Sequence, residues 1–243
     1  MVDRGNDARL AVLIDADNAS AGHLERVLSE IAKYGTATVR RAYGDWTSTH
    51  LKSWKDVLLS HSVQPMQQFG YTKGKNSTDS ALIIDAMDLL HSGTVDGFCL
   101  VSSDSDFTRL AARIREQGMV AYGFGARKTP DPFVKACTKF IYVENLVPAE
   151  PVSASNGQAK PILTKGSDLD RLLGEAVDAA ADDDAWAHLG TVGSNLSKLA
   201  TDFDTRTWGF AKLTDLLKAH PGYQVESRSP GDGKQPVSFV RRT

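Results

Sequence analysis

The sequence has few cysteines, and its histidines follow no metal-binding pattern. Among 243 residues only Cys99 and Cys137 are cysteines, and both stand in apolar surroundings. This predicts buried free thiols in a reducing compartment and argues against a disulfide framework. The six histidines show no metal-ligand spacing and are expected at the surface.

Long apolar runs and an excess of charge of one sign are also absent. No run approaches the roughly 18 residues that span a bilayer, and the polar start, MVDRGND, lacks an apolar signal region. We therefore expect a cytoplasmic protein with no membrane partner. The net charge of −2 does not by itself indicate nucleic-acid binding, so that function has to be argued from local features.

What the sequence does contain is an alternation of apolar β-type runs with helical patterns, in an ordinary globular composition. The predicted strands are 10–14, 36–43, 62–69, 97–101, 119–124 and 140–143, and the predicted helices are 20–33, 49–59, 78–90 and 107–117. Ser20 is the expected cap of the first helix, Gly118 the expected end of the last, and Pro65 places its strand near a sheet edge. This order is typical of an α/β fold with a parallel sheet.

The amino-acid composition changes after the last predicted strand of this alternation. Residues 148–166 are rich in Pro, Ser, Ala, Asn, Gly and Gln without periodicity, which predicts a linker. Helices are then expected from Ser167, over 192–203 and over 209–219, followed by two strands at 223–226 and 237–241. Three helices and a hairpin are a winged-helix order. The predicted domains are therefore 8–147 and 167–243, joined by the linker 148–166.

Three acidic turns lie at predicted strand or helix ends in the first domain. Asp15 directly follows one apolar run, Asp104 and Asp106 follow another, and Asp79 opens a helix. The carboxyl ends of parallel strands are where α/β folds place their chemistry. Carboxylates gathered there repel one another unless a cation neutralises them, and hard divalent cations prefer oxygen ligands. The pattern predicts a Mg²⁺ or Mn²⁺ site.

A structural explanation competes with this one. Each of these aspartates taken singly could be a helix cap, although three acidic turns on one sheet make that a weaker explanation for the whole set. Asn18 could add an amide oxygen or position a water. Phosphodiester hydrolysis needs such a cluster, because the bound metal polarises the phosphate and activates a water.

Four ordered pieces stand out in the first domain: LIDADN at 13–18, KNSTD at 75–79, SSDSDF at 102–107 and GFG at 123–125. Together they resemble a known family, the NYN domain. The NYN domain is a branch of the PIN-like nucleases that includes the bacterial DUF88 or LabA-like proteins. The resemblance spans about residues 10–146 and implies a Rossmann-like parallel sheet, helices on both faces and a metal-dependent ribonuclease site.

The resemblance also implies which residues form the site. The metal ligands would be Asp15, Asp79, Asp104 and Asp106, with Asn18 as a fifth catalytic residue beside them.

Further residues are expected to contact substrate. Lys73 and Lys75 form a basic loop before Asp79 that could touch phosphates, or could be a plain surface loop. Ser102 and Ser103 complete the predicted substrate contacts.

The second domain resembles the LOTUS domain, also called OST-HTH, over about 167–242. The resemblance is carried by LGTVGSNL at 189–196 and FDTRTWGF at 203–210. It implies RNA binding or docking to a protein partner. Between 198 and 243, eight Lys and Arg stand against five acids, a mild basic bias. Trp208 and Phe210 could stack on bases or belong to the core.

The leading hypothesis is a Mg²⁺- or Mn²⁺-dependent endoribonuclease with a C-terminal RNA- or partner-binding module. One alternative is an RNA-binding or assembly protein whose acidic cleft holds a cation without turnover. The other is a haloacid-dehalogenase-like phosphatase with Asp15 as nucleophile, Asp17 as acid and Ser102 on the phosphate. Against the phosphatase, Ala19 stands where such enzymes have Thr or Val, and no cap domain is evident. RNA identity and a possible homodimer stay open.

Overall fold

The structure is a computed structural model that describes residues 8–68, 77–147, 163, 167–229 and 236–243. The chain divides into two compact units, Met1–Val147 (the first unit) and Pro148–Thr243 (the second unit). Apart from residue 163, the predicted linker lies outside the described residues.

The first unit is built on one sheet of six parallel strands in the order β3-β2-β1-β4-β5-β6. The strands are β1 (Arg9–Asp15), β2 (Thr36–Gly44), β3 (Gln64–Gln67), β4 (Gly97–Val101), β5 (Val120–Gly125) and β6 (Lys139–Tyr142). The predicted parallel sheet is confirmed. Chain order runs outward in both directions from β1 and β4, so this pair is the point where the winding reverses.

Helices lie on both faces of this sheet. They are α1 (Leu24–Ile31), α2 (Trp54–Ser60), α3 (Ser77–Ser92), α4 (Thr108–Glu116) and α5 (Asp131–Ala136). The central strands read as unbroken apolar runs because both of their faces are covered. Leu13 pairs with Leu100 in the core that contains α3 and α4 residues, and Ile14 pairs with Val101 in the core that contains α1 and α2 residues.

Several boundaries differ from the prediction. The first helix begins as a 3-10 turn, Ala21–His23, and the expected cap Ser20 makes no side-chain capping hydrogen bond. A 3-10 turn, Ser105–Phe107, likewise precedes α4. The six-residue helix α5 was not predicted, since it is too short to show a helical period and carries a proline in its first turn.

Three other local predictions are confirmed, for Pro65, Gly118 and the two cysteines. β3, which contains Pro65, lies at an edge of the sheet. Gly118 follows α4 with φ of 76°, a conformation that glycine adopts without steric cost. Cys99 and Cys137 are both buried free thiols. Within the described part of the chain, no helix has the length and apolar character needed to cross a membrane.

The second unit has the predicted winged-helix order. Its helices are α6 (Asp168–Asp178), α7 (Leu189–Leu199) and α8 (Leu213–Ala219), and its antiparallel strands are β7 (Ala187–His188), β8 (Tyr223–Arg228) and β9 (Val237–Arg242), in the order β7-β9-β8. Helix α7 begins three residues before the prediction. Gly209, expected to open a helix, instead ends the 3-10 turn Thr205–Trp208 with φ of 77°. The two-residue strand β7 was too short to predict.

One histidine contradicts the expected surface location. His220 is only 1% exposed, and its Nδ1 accepts a hydrogen bond from the backbone N–H of Gly222 at 3.1 Å. The ring also contacts the ring of Tyr223 at 5.0 Å between centroids. His220 is therefore part of the core of the second unit.

A polar network fastens α3 to the sheet. Arg41 and Tyr43, both on β2, each donate a hydrogen bond to the carboxylate of Asp85 on α3. The Arg41 and Asp85 side chains are 26% and 21% exposed, so the ion pair is largely withdrawn from water. Because Asp79 is on the same helix, this network also fixes the element that presents Asp79 to the carboxyl edge of the sheet.

Replacing Asp85 by Asn should destabilise the first unit by about 2 kcal/mol, because the charge of Arg41 would be left without its partner in a poorly solvated position. The control Asp88→Asn lies on the exposed side of α3 and should change stability by less than about 0.5 kcal/mol. Urea unfolding measures both. Equal stability of the two variants would show that the network does not hold α3.

Candidate metal centre

Asp15 is the last residue of β1 and is fully buried. Its Oδ2 accepts hydrogen bonds from Ser102 Oγ at 2.7 Å and from Asn18 Nδ2 at 2.9 Å, and its Oδ1 accepts one from the Asn18 backbone N–H at 3.3 Å. Burial raises the pKa of Asp15 above its ordinary value, while these donors act to lower it. The carboxyl group is thus held in one orientation by partners from both strands of the central pair.

Ser102 connects the ends of β1 and β4. Its hydroxyl donates to Asp15 and accepts a hydrogen bond from the backbone N–H of Asp104 at 3.0 Å. Ser103 makes the next link, since its Oγ accepts from the backbone N–H of Ala126 at 2.8 Å. Both serines were expected to contact substrate, which stays a prediction. In the structure their hydroxyls position the acidic loop.

The acidic loop after β4 combines a capping role with a cluster of ligand atoms. Asp104 caps the 3-10 turn that follows, because its Oδ1 accepts from the backbone N–H of Asp106 at 2.9 Å. The capping explanation therefore holds for this residue. Even so, Asp79, Asp104 and Asp106 each present one carboxylate oxygen, and these three oxygens lie within 4.8 Å of one another.

This spacing fits a single divalent cation. Metal–oxygen bonds of about 2.0–2.6 Å place two ligands of one ion at most about 5 Å apart. The donors are all carboxylate oxygens, which suit Mg²⁺ or Mn²⁺. Asp79 is half-buried, Asp104 is half-buried and Asp106 is exposed, so the group is open to solvent on one side. We call Asp79, Asp104 and Asp106 the acidic triad.

The electrostatics of the triad show that its charges are crowded. Burial together with the negative charges of Asp15, Asp104 and Asp106 raises the pKa of Asp79 to about 6. Asp15 is thus close enough to act on Asp79 electrostatically, although it is not among the three residues that share the 4.8 Å cluster. The geometry brings the four predicted aspartates together and separates them into an open triad and a buried, hydrogen-bonded neighbour.

Two predicted site residues lie outside the described residues. In addition, one arginine near the triad was not predicted. Lys73 and Lys75 fall in the segment 69–76, which the structure does not describe. Arg109, in the first turn of α4, borders a polar groove together with Asp79 and Asp106. The available sequence signal was its position one helical turn after Asp106.

Two aromatic residues of the second unit, Trp208 and Phe210, were expected either to stack on bases or to belong to the core. Trp208 and Phe210 are partly buried and pack on the core of the unit, so the core alternative is the better description. A different cluster combines arginines with aromatic rings. The Arg228 guanidinium lies 4.7 Å from the ring centroids of Trp186 and Phe239, and the Arg241 guanidinium lies 4.7 Å from that of Trp186. We call these four residues the arginine–aromatic cluster.

The parallel sheet, its reversal point and the acids at its carboxyl edge define the first unit as a PIN-like α/β domain. The family model of the NYN domain matches residues 9–144, and the chain belongs to this family. The model of the OST-HTH/LOTUS domain matches residues 156–235, so the chain combines an NYN domain with a LOTUS domain. No protein with a curated description matches the chain.

The chain is similar to several solved structures. A protein of unknown function from Vibrio parahaemolyticus is 19% identical over 56% of this chain and 92% of its own, with a TM-score of 0.46. An uncharacterised protein from Nitrosomonas europaea is 32% identical over 37% of this chain and 87% of its own, with a TM-score of 0.30. A protein from Chromobacterium violaceum is 32% identical over 33% of this chain and 87% of its own, with a TM-score of 0.26.

The raised pKa of Asp79 gives a pH-dependent prediction for the metal-free protein. Its folded value of about 6 lies above the ordinary 3.8, so the folded state binds the proton more tightly than the unfolded state. The resulting contribution to the free energy of unfolding is fully present below the pKa of the unfolded state, and it is lost as the pH rises through the pKa of the folded state. In EDTA, the free energy of unfolding should therefore fall by about 1 kcal/mol as the pH rises from 4 to 6, a value that allows for the partial exposure of Asp79.

Asp79→Asn should remove this pH-dependent loss, and near neutral pH in EDTA it should be more stable than wild type. Thermal unfolding across the pH range measures the difference. Asp131→Asn, an exposed acid on α5, is the control and should follow the wild-type curve. If Asp79→Asn were less stable than wild type in EDTA at neutral pH, the aspartates would not be in repulsive contact.

Proposed function

We propose that the chain is a Mg²⁺- or Mn²⁺-dependent endoribonuclease whose first unit hydrolyses RNA phosphodiester bonds and whose second unit binds RNA. The observation that carries this proposal is the acidic triad, with three carboxylate oxygens within 4.8 Å at the carboxyl edge of an NYN sheet. The residues assigned to catalysis are Asp15, Asn18, Asp79, Asp104 and Asp106, with the triad as the metal ligands.

When bound, the cation would polarise the phosphodiester and lower the pKa of a coordinated water. The protein's own residues provide the geometry for this. Asp104 is held by the hydrogen bond that its Oδ1 accepts from the Asp106 N–H and by the one that its own N–H donates to Ser102, and Asp79 is presented by the first turn of α3. Arg109, beside the triad, would attract the RNA phosphates.

Asp15 is assigned a supporting role in this site. Both of its oxygens accept hydrogen bonds from Asn18 or Ser102, and the side chain is fully buried. It would hold the ends of β1 and β4 in register and add negative charge near Asp79. The same burial weighs against the phosphatase alternative, because a nucleophile in that mechanism has to reach a phosphate.

The arginine–aromatic cluster is the surface proposed to bind RNA in the second unit. Arg228, Arg241 and Phe239 are each partly exposed on the β8–β9 hairpin. Guanidinium groups pair with phosphates or stack on bases, and aromatic rings stack on bases without strong sequence preference. The basic bias is confined to residues 198–243, where eight Lys and Arg stand against five acids, and it fits moderate, salt-sensitive binding.

Asp104→Asn should lower metal-dependent RNA cleavage by about 100-fold or more, because a charged ligand of the cation becomes neutral. Labelled single-stranded and structured RNAs incubated with Mn²⁺, Mg²⁺ or EDTA provide the assay. Asp131→Asn should retain wild-type activity. If the wild type bound RNA but cut none with any metal, the non-catalytic RNA-binding alternative would replace this proposal.

The double variant Arg228→Ala/Arg241→Ala should weaken RNA binding by at least about tenfold. It should also lower the slope of log Kd against log salt concentration by about two, because two phosphate contacts are lost. Fluorescence anisotropy at several salt concentrations measures both quantities. Arg171→Ala, which removes an exposed arginine paired with Glu175 on α6, is the matched control. Unchanged RNA affinity in the double variant would point to a protein partner for this surface.

A further inference from the structure

A cavity of about 220 Å³ opens beside the metal centre and has no role in the function proposed above. Its walls include five buried apolar side chains from α1, β4, β5 and the chain after β6, which are Leu24, Val27, Val101, Phe124 and Val143. Polar groups stand at its borders, among them Asn18, Ser102 and the exposed Lys128.

The cavity and the acidic triad lie on opposite faces of the same sheet edge. The apolar wall residues belong to the core beneath α1 and α2, whereas α3, which carries Asp79, packs on the other core. Ser102 connects the two places, since its Oγ accepts a hydrogen bond from the backbone N–H of Asp104 and the residue also lines the cavity. An RNA strand crossing this edge with a phosphate at the triad would bring a neighbouring nucleotide to the cavity.

The lining identifies the part of a nucleotide that fits. Buried apolar walls do not suit a phosphate, which loses its hydration there without a compensating partner. A flat base can pack against Val101 and Val143, the two apolar wall residues that keep the most exposed surface, as flipped bases do on apolar side chains. The volume is below the roughly 300–1,000 Å³ of pockets for drug-sized ligands, so the cavity has room for one small group.

We infer that this cavity binds the base of a nucleotide adjacent to the scissile phosphate and so positions the RNA for cleavage. The inference rests on the proposed ribonuclease function, because it assigns the cavity to that substrate. Lys128, at the border, would contact the phosphate of the same nucleotide. The consequence is that cleavage should depend on a base at this position as well as on the sugar–phosphate backbone.

The inference is tested with Ser20→Trp, which places a large ring at the mouth of the cavity. Ser20 lines the cavity, is exposed, and makes no capping hydrogen bond that the substitution would break. The matched control is Ser29→Trp, an exposed position on α1 that does not line the cavity. The substrates are a short RNA with one cleavage site and two versions that lack the base on either side of that site.

Wild type and Ser29→Trp should cut one of the abasic RNAs at least about tenfold more slowly than the intact RNA. Ser20→Trp should cut the intact RNA at that reduced rate and show no further loss on the abasic one. Equal cutting of all three RNAs by the wild type, or wild-type behaviour of Ser20→Trp, would overturn the inference.

A binding measurement in EDTA separates the cavity from the cleavage activity. Nucleoside monophosphates should shift the NMR signals of the Val27 and Phe124 amides in the wild type and not in Ser20→Trp, whereas ribose 5-phosphate should shift neither. These shifts without any cleavage would support the cavity and contradict the nuclease. Cleavage without the shifts would support the nuclease and contradict the cavity.

Discussion

The first unit depends on how it accommodates four carboxyl groups at the carboxyl edge of its sheet. Asp15 is tolerated in a fully buried position because Ser102 and Asn18 donate hydrogen bonds to it. The acidic triad is compensated less well, and the pKa of Asp79 is raised to about 6 by burial and by its acidic neighbours. A site that crowds negative charge in this way is complementary to a cation, which gives the fold a physical reason to bind one.

The sequence allowed the sheet and the acidic positions to be predicted because both depend on local patterns. The runs at 10–14 and 97–101 are apolar on every residue, as strands covered on both faces must be. Asp15 could be placed because it directly follows the first run, Asp104 and Asp106 because they lie in the turn after the second run, and Asp79 because it opens a predicted helix. The sequence did not reveal that Asp15 is buried and hydrogen-bonded while the other three aspartates form the open triad. The reason is that the hydrogen bond from Ser102 to Asp15 joins residues 87 positions apart in the chain.

Features assembled from distant segments were missed for the same reason. The cavity takes its walls from six separate parts of the first unit, which are α1, α2, β4, β5 and the segments after β1 and β6. The arginine–aromatic cluster joins Trp186 to Arg228, Phe239 and Arg241, none of which is a local neighbour of Trp186.

The most direct test of the metal centre is the anomalous diffraction of a crystal of the full chain grown or soaked with Mn²⁺. The expected result is an anomalous peak bounded by the carboxylates of Asp79, Asp104 and Asp106, with Asp15 still hydrogen-bonded to Ser102 behind it. A fully occupied Mn²⁺ peak elsewhere, with none among the three carboxylates, would contradict the assignment of the triad as the metal site.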